Sequence, residues 1–198
     1  MKLNKIYLRP LRQDDVNERY LSWLRNPRVN AYLEVDGNDL NFEIVKNYIL
    51  EGTRKGKYFM YAICLKENNL HIGNVKVGPI NKKHKISDLP VIIGDPKFWG
   101  KGLACEAIKL GNQIAFKDHK IRKLHGQIYR NNFGSIKAYC RAGWIIEGVI
   151  RGRYLVDNEP MDQILVSCNN PLFFPKVSEN YNILELENLN KFRKELFT

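Results

Sequence analysis

Residues Ile92–Ala107 read IIGDPKFWGKGLACEA: a short apolar run, a turn carrying Gly100 and Gly102, and the first residues of a helix. Glycine reaches positive φ without strain and lets a ligand approach the backbone closely. A helix opening at Leu103 aims its unpaired N–H groups and the positive end of its dipole into that turn. Together these features predict an anion site suited to a pyrophosphate. Small residues at 100, 102 and 104 keep clear of it, and Lys101 adds charge. On two glycines alone, an ordinary strand-to-helix turn explains the residues better, because short glycine motifs are weak. Two nucleotide-binding patterns fail here: no Ser or Thr follows Gly100-Lys101, and Gly-x-Gly-x-x-Gly is interrupted at Cys105.

The flanking sequence supplies the rest of an α/β pattern. Upstream, Ile6–Leu11 reads as a strand stopped around Pro10, and Asp15 with Glu18 matches a capping box for a helix through Val16, Tyr20, Trp23 and Leu24. Asn26-Pro27 ends that helix, and Asn41 caps a second over Phe42–Leu50. Tyr58–Lys66 and Leu70–Val77 form a hairpin about Asn68-Asn69. In Leu89–Gly94, Pro90 cannot donate to a ladder, so that strand is interrupted, bulged or at an edge. Downstream come a helix (Leu103–Phe116), a strand (Leu124–Tyr129), a helix (Ser135–Ala142) closed by Gly143, and a hairpin of Ile145–Val156 with Met161–Ser167 about Asp157-Asn158. The order predicts a mixed sheet with helices on both faces, over residues 1–168. Residues 169–198 read as an extension ending in an amphipathic helix with Leu189, Phe192 and Leu196 on one face, which would dock on the domain or on a second copy in a homodimer.

The chain has 198 residues, 44% hydrophobic and 27% charged, with a net charge of +11, which fits one folded domain and attracts anionic partners. Its four cysteines form no Cys-x-x-Cys pair, so no metal site is expected, and they fit a reducing compartment. No apolar stretch reaches the ~20 residues a membrane span requires. A cytoplasmic location without membrane attachment is expected. The basic charge and 11% aromatic content also fit a nucleic-acid-binding module, but no RNA-binding signature occurs and nucleic acid is not expected as a partner.

Three segments in order resemble the GNAT superfamily of N-acetyltransferases. Trp99-Gly100-Lys101-Gly102-Leu103-Ala104 resembles its pyrophosphate loop, Gln/Arg-x-x-Gly-x-Gly/Ala, with Trp99 replacing the Gln or Arg as in the branch that includes ribosomal-protein N-terminal acetyltransferases. Asn132-Phe133-Gly134-Ser135 resembles the Asn-x-x-Ser/Ala step into the next helix, and Tyr139-Cys140-Arg141-Ala142-Gly143-Trp144 resembles Tyr-x-x-x-Gly-Phe. The resemblance implies a mixed, mostly antiparallel sheet of about seven strands, with the fourth and fifth splayed. It also implies acetyl-CoA as donor, with pantetheine in the splay against main-chain groups of Ile92, Ile93 and Gly94. Asn132 and Ser135 would touch the cofactor arm, although both also read as helix caps. Tyr139 would be the general acid, or else a tyrosine packed on the core. Asp88 stands near the place of the general base in relatives, or else is a loop carboxylate; Glu34, Asp36 and Asp162 are other candidates. The four histidines show no catalytic spacing, and His125 is expected to contact strand neighbours.

The acceptor implied is a primary amine. Arg19–Val35, RYLSWLRNPRVNAYLEV, resembles acetyltransferases of nucleotide-linked amino sugars and, less closely, ribosomal-protein N-terminal acetyltransferases. A nucleotide-sugar carries two phosphates that Arg25, Arg28, Lys82 or Lys83 would bind.

Overall fold

The computed structural model describes residues 5–35 and 39–173; Asp36 and the helix expected at 184–197 lie outside them. The elements run β1 (Ile6–Pro10), α1 (Glu18–Arg25), α2 (Pro27–Asn30), α3 (Phe42–Arg54), β2 (Phe59–Leu65), β3 (His71–Val77), β4 (Ile80–Asn81), β5 (Ile86–Asp88), β6 (Val91–Ile93), α4 (Leu103–Lys117), β7 (Lys123–Tyr129), α5 (Phe133–Arg141), β8 (Ile145–Val156) and β9 (Glu159–Asn169). They form a sheet of order β1-β2-β3-β6 and another of order β4-β5-β7-β9-β8. Every pairing is antiparallel except β5 with β7. The expected mixed α/β architecture is present. Its two extra strands are the short β4 and β5, which precede the strand expected at Leu89–Gly94; β6 forms within that expected strand.

Helices cover both faces of the first sheet. Ile63 and Leu65 of β2 pack with Ala107, Ile108 and Ala115 of α4, while Ala62 and Cys64 pack with Leu21, Trp23, Val45 and Ile49 of α1 and α3. That explains the nearly continuous apolar run of β2, since a strand covered on both sides buries odd and even residues alike.

Local chemistry sets the helix ends, with one correction. The N-cap of α1 is Asn17, whose side chain accepts from Tyr20 N, and Asp15 does not cap this helix. Asp15 instead ends a short 3₁₀ turn and forms a two-point pair with Arg9, at 2.6 Å for each contact. The guanidinium offers two parallel charge-assisted bonds. Asn41 caps α3 as expected, and the helix runs four residues past Leu50.

Pro90 marks where the sheets part. Through Asp88 the strand, as β5, lies between β4 and β7; beyond Pro90, β6 pairs with β3 alone. β7 continues beside β9. A wedge-shaped gap therefore opens between β6 and β7.

Gly94, at the end of β6, is required by packing: a Cβ there would lie 2.1 Å from Trp23 Cδ2. Trp23 is buried and meets the His71 ring edge-on at 5.1 Å, so it has nowhere to move. Gly94→Ala is expected to destabilise by about 1–3 kcal/mol, read as a lower thermal midpoint.

Candidate active site

The edge of β6 facing the gap follows from its register. Residues of an antiparallel pair alternate between exchanging main-chain bonds and turning them away. Gly78 N donates to Asp88 O (3.1 Å), Lys76 N to Pro90 O (2.9 Å) and Gly94 N to Ile72 O (2.8 Å). Residues 88, 90, 92 and 94 are thus turned to β3, and Leu89, Val91 and Ile93 present their main-chain groups to the gap. Of Ile92, Ile93 and Gly94, only Ile93 has the orientation an added strand would need, and Val91 joins it. The missing N–H of Pro90 falls on the β3 side and costs the gap edge nothing.

Tyr139, on the inward face of α5, reaches the apex of the gap. Its hydroxyl donates to Leu89 O at 2.5 Å and accepts from Val91 N–H. The ring lies edge-on to the buried Trp144 at 4.7 Å. Burial, with the nearby Asp88 carboxylate, raises its pKa well above a free phenol's, despite the bond from Val91. Tyr139 therefore holds its proton at neutral pH, as a proton donor must.

The glycine turn lies beyond the other end of β6. Trp99, Gly100 and Lys101 are exposed, while Gly102 and Ala104 are half-buried and the Leu103 side chain is in the core. Gly100 has φ 73° and Gly102 φ 78°, both in the region that favours glycine. A Cβ at Gly100 would meet no atom within 4 Å, so the turn is open. Gly102 is the N-cap of α4, and no side chain bonds the first N–H groups of that helix. The turn thus fits the diphosphate of a coenzyme A thioester, to which main-chain amides and the helix dipole would be offered. Trp99 Nε1 donates to Ile93 O (2.8 Å), while Arg28 stacks on the Trp99 ring at 5.4 Å. The family's Gln or Arg is thus replaced by a side chain that ties the loop to β6 and attracts a cation to its face.

Asn132 caps α5: its Oδ1 accepts from Ser135 N at 3.2 Å. The cap occupies the carbonyl side of the amide and leaves Nδ2 outside the cap. Ser135 contributes the capped N–H, and its side chain is half-buried.

Asp88 does not stand alone. It pairs in register with His125, and Asp88 Oδ1 is 2.8 Å from His125 Nδ1. Oδ1 is buried with no other polar partner, so the imidazole nitrogen is the group it faces. Asp88 holds the imidazole above its ordinary value against the opposing effect of burial. His125 does contact a strand neighbour, but that neighbour is a candidate catalytic carboxylate. The pairing of β5 with β7 brings the two together, and no local spacing announces it.

The same sheet face continues to an aromatic corner. Tyr129 at the end of β7 stacks on Tyr154 (3.7 Å, 8° between planes) and lies 5.5 Å from Tyr32. Its hydroxyl donates to Glu34 at 2.7 Å. Burial, helped by Glu34, pushes this phenol up to about 12. A shallow depression of about 530 Å³ beside Glu34 is lined by Pro27, Asn30, Ala31, Leu33, Glu34 and Val35. Asp162 is occupied elsewhere, accepting from Gly152 N at 3.0 Å and pairing with Arg130 at 3.1 Å. Among the described residues no group of acids, histidines and cysteines is arranged to hold a metal ion. Nor does any described helix have the length and apolarity to cross a membrane.

Residues 5–145 match the family model of the acetyltransferase (GNAT) domain. The chain is 24% identical to the probable N-acetyltransferase YjcK of Bacillus subtilis, over 86% of this chain and 97% of the relative. It is 26% identical to spermidine N(1)-acetyltransferase of Escherichia coli K12, over 79% of this chain and 81% of the relative. Two solved structures share the fold. Spermidine N-acetyltransferase of Vibrio cholerae, in complex with CoA and spermine, superposes with a TM-score of 0.77 at 17% identity, over 87% of this chain and 99% of that one. Ribosomal-protein-S5-alanine acetyltransferase of Vibrio fischeri gives 0.72 at 18% identity, over 86% and 96%. With the family model spanning more than two thirds of its length, over a splayed sheet and an open glycine turn, the chain belongs to the GNAT family and is an acetyl-CoA-dependent N-acetyltransferase.

Proposed function

We propose that the enzyme acetylates the primary amine of an anionic acceptor, a nucleotide-linked amino sugar being the preferred candidate. The carrying observation is Arg28, stacked on Trp99 beside the cofactor loop and next in sequence to Pro27, which lines the acceptor-side depression. A cation there suits a phosphate-bearing acceptor. A polyamine would need several carboxylates; among the described residues lining the depression only Glu34 is acidic, and it is bonded to Tyr129. The net charge of +11 repels a polycation as well. Of the other candidate phosphate ligands, Arg25 is held by Leu40 O and Glu18, and Lys82 leans over Gly56.

The chemistry is direct transfer. Acetyl-CoA, when bound, supplies the thioester carbonyl that the amine attacks. The gap-facing Val91 C=O and Ile93 N–H would align the cofactor arm, and the amides at 100–104 its diphosphate. Tyr139 would give its proton to the departing sulfur. Asp88 would serve the amine side from the opposite face of the strand.

The test is turnover of acetyl-CoA with an amino-sugar nucleotide, spermidine, and a peptide with a free N-terminus. The expected result is turnover of the first, with Arg28→Ala raising its KM about tenfold or more, the scale of a lost hydrogen bond to a charged group. Exclusive turnover of spermidine, or of the peptide, would overturn the anionic acceptor.

A further inference from the structure

We propose that His125 Nε2 is the proton acceptor of the reaction and that Asp88 is its positioning residue; this rests on direct transfer to an amine. Three observations converge. First, Asp88 and His125 are the last registered pair of the parallel ladder, so the dyad sits where β6 and β7 begin to part. Second, the dyad and Tyr139 approach from opposite sides. Asp88 shares a strand face with Ile92, which packs toward α1 and α3, whereas Leu89 and Ile93 pack with α4 and with Tyr139 of α5. Proton donor and proton acceptor therefore flank the place where a bond between nitrogen and carbonyl carbon would form. Third, both side chains keep about a third of their surface open, 33% for Asp88 and 38% for His125, so an amine can reach the ring. With Nδ1 on Asp88, Nε2 is the free nitrogen.

The surrounding charges suit the role. Lys123 on β7 opposes protonation of His125, while Glu147 on β8 favours it. Lys123 and Glu147 pair with each other, and Ser167 of β9, opposite His125, donates to Glu147 at 2.8 Å. Asp88 is thus the dominant partner. The proton ledger closes. Nε2 takes a proton from the primary ammonium, the freed lone pair forms the C–N bond as the C–S bond breaks, and sulfur receives the Tyr139 proton. His125 passes the first proton to solvent and then takes the second proton of the amine nitrogen, which returns through solvent to the Tyr139 phenolate. One proton is released overall and both groups are restored.

The test has two arms on the full chain. In the first, an NMR pH titration follows the His125 ring with and without acetyl-CoA. The expected midpoint lies above that of a free imidazole, falls in Asp88→Asn, and the resonance moves when acetyl-CoA binds. A midpoint indifferent to Asp88→Asn, or a resonance unmoved by acetyl-CoA, overturns the proposal without any acceptor being known. In the second arm, kcat/KM with the amine that turns over rises with pH through this midpoint, because only the neutral ring accepts a proton. His125→Gln is expected to lower kcat about 100-fold and remove that limb, with the KM for acetyl-CoA kept. Its rate is expected to recover with hydroxylamine, which is largely neutral at pH 7. A His125→Gln enzyme within twofold of the parent, with the limb intact, overturns the proposal. Failure of every amine in the acceptor panel would instead count against the acceptor reading, and the first arm would still decide the dyad.

Discussion

Tyr139→Phe lowers kcat by about 100-fold or more, the scale of losing a positioned general acid, and leaves the affinity for acetyl-CoA within a few-fold. The split follows from where the hydroxyl acts. It bonds Leu89 O and Val91 N–H at the apex of the gap, whereas the glycine turn proposed to hold the diphosphate is beyond the far end of β6. Removing the hydroxyl also leaves a buried carbonyl unpaired, which costs about 1–3 kcal/mol and lowers the melting temperature by several degrees. Stopped-flow turnover at saturating acetyl-CoA, with calorimetric binding of coenzyme A, separates the two effects. Unchanged kcat would remove Tyr139 from the chemistry and leave it a latch on the strand.

Gly102→Val produces the opposite split: acetyl-CoA binding weakens tenfold or more, and the chemical step at saturation changes little. A β-branched residue at φ 78° is a steric outlier costing roughly 1–2 kcal/mol. The strain falls on the N-cap of α4, in the turn proposed to hold the diphosphate. Gly143 supplies the control. Its φ is 93° and a Cβ there meets nothing within 4 Å, but it closes α5 away from the loop. Gly143→Ala carries a similar backbone penalty and is expected to leave calorimetric acetyl-CoA affinity intact. If both variants bind alike, the glycines serve only the turn.

Much of the fold was legible because its signals are local. Asn41, Gly102, Gly143 and the Asp157-Asn158 turn do what their residue types dictate: a side-chain cap, two left-handed glycines, and a two-residue loop with φ of 52° and 64°. Asp15 misled because its carboxylate had a stronger claimant in Arg9, and Asn17 took the cap. Pro90 announced an interruption but not its consequence. That one strand serves two sheets is a matter of which neighbours remain on each side, and only topology decides it. The glycine loop and Tyr139 could be named from their motifs. The Asp88–His125 pair could not, because a parallel register between distant segments creates it.

A naked strand edge inside a protein is an invitation to any passing extended chain. In β6 the invitation is narrow. Tyr139 occupies the main-chain groups at one end and Trp99 the carbonyl at the other, leaving one carbonyl, of Val91, and one amide, of Ile93. A stray peptide would gain a single rung there, too little to anneal. A slim diamide that also anchors its phosphates in the loop gains the rung and the anchor together. On the proposed binding mode the two capping side chains would act as a gauge, admitting a ligand of the right reach and refusing the β-pairing that would jam the site.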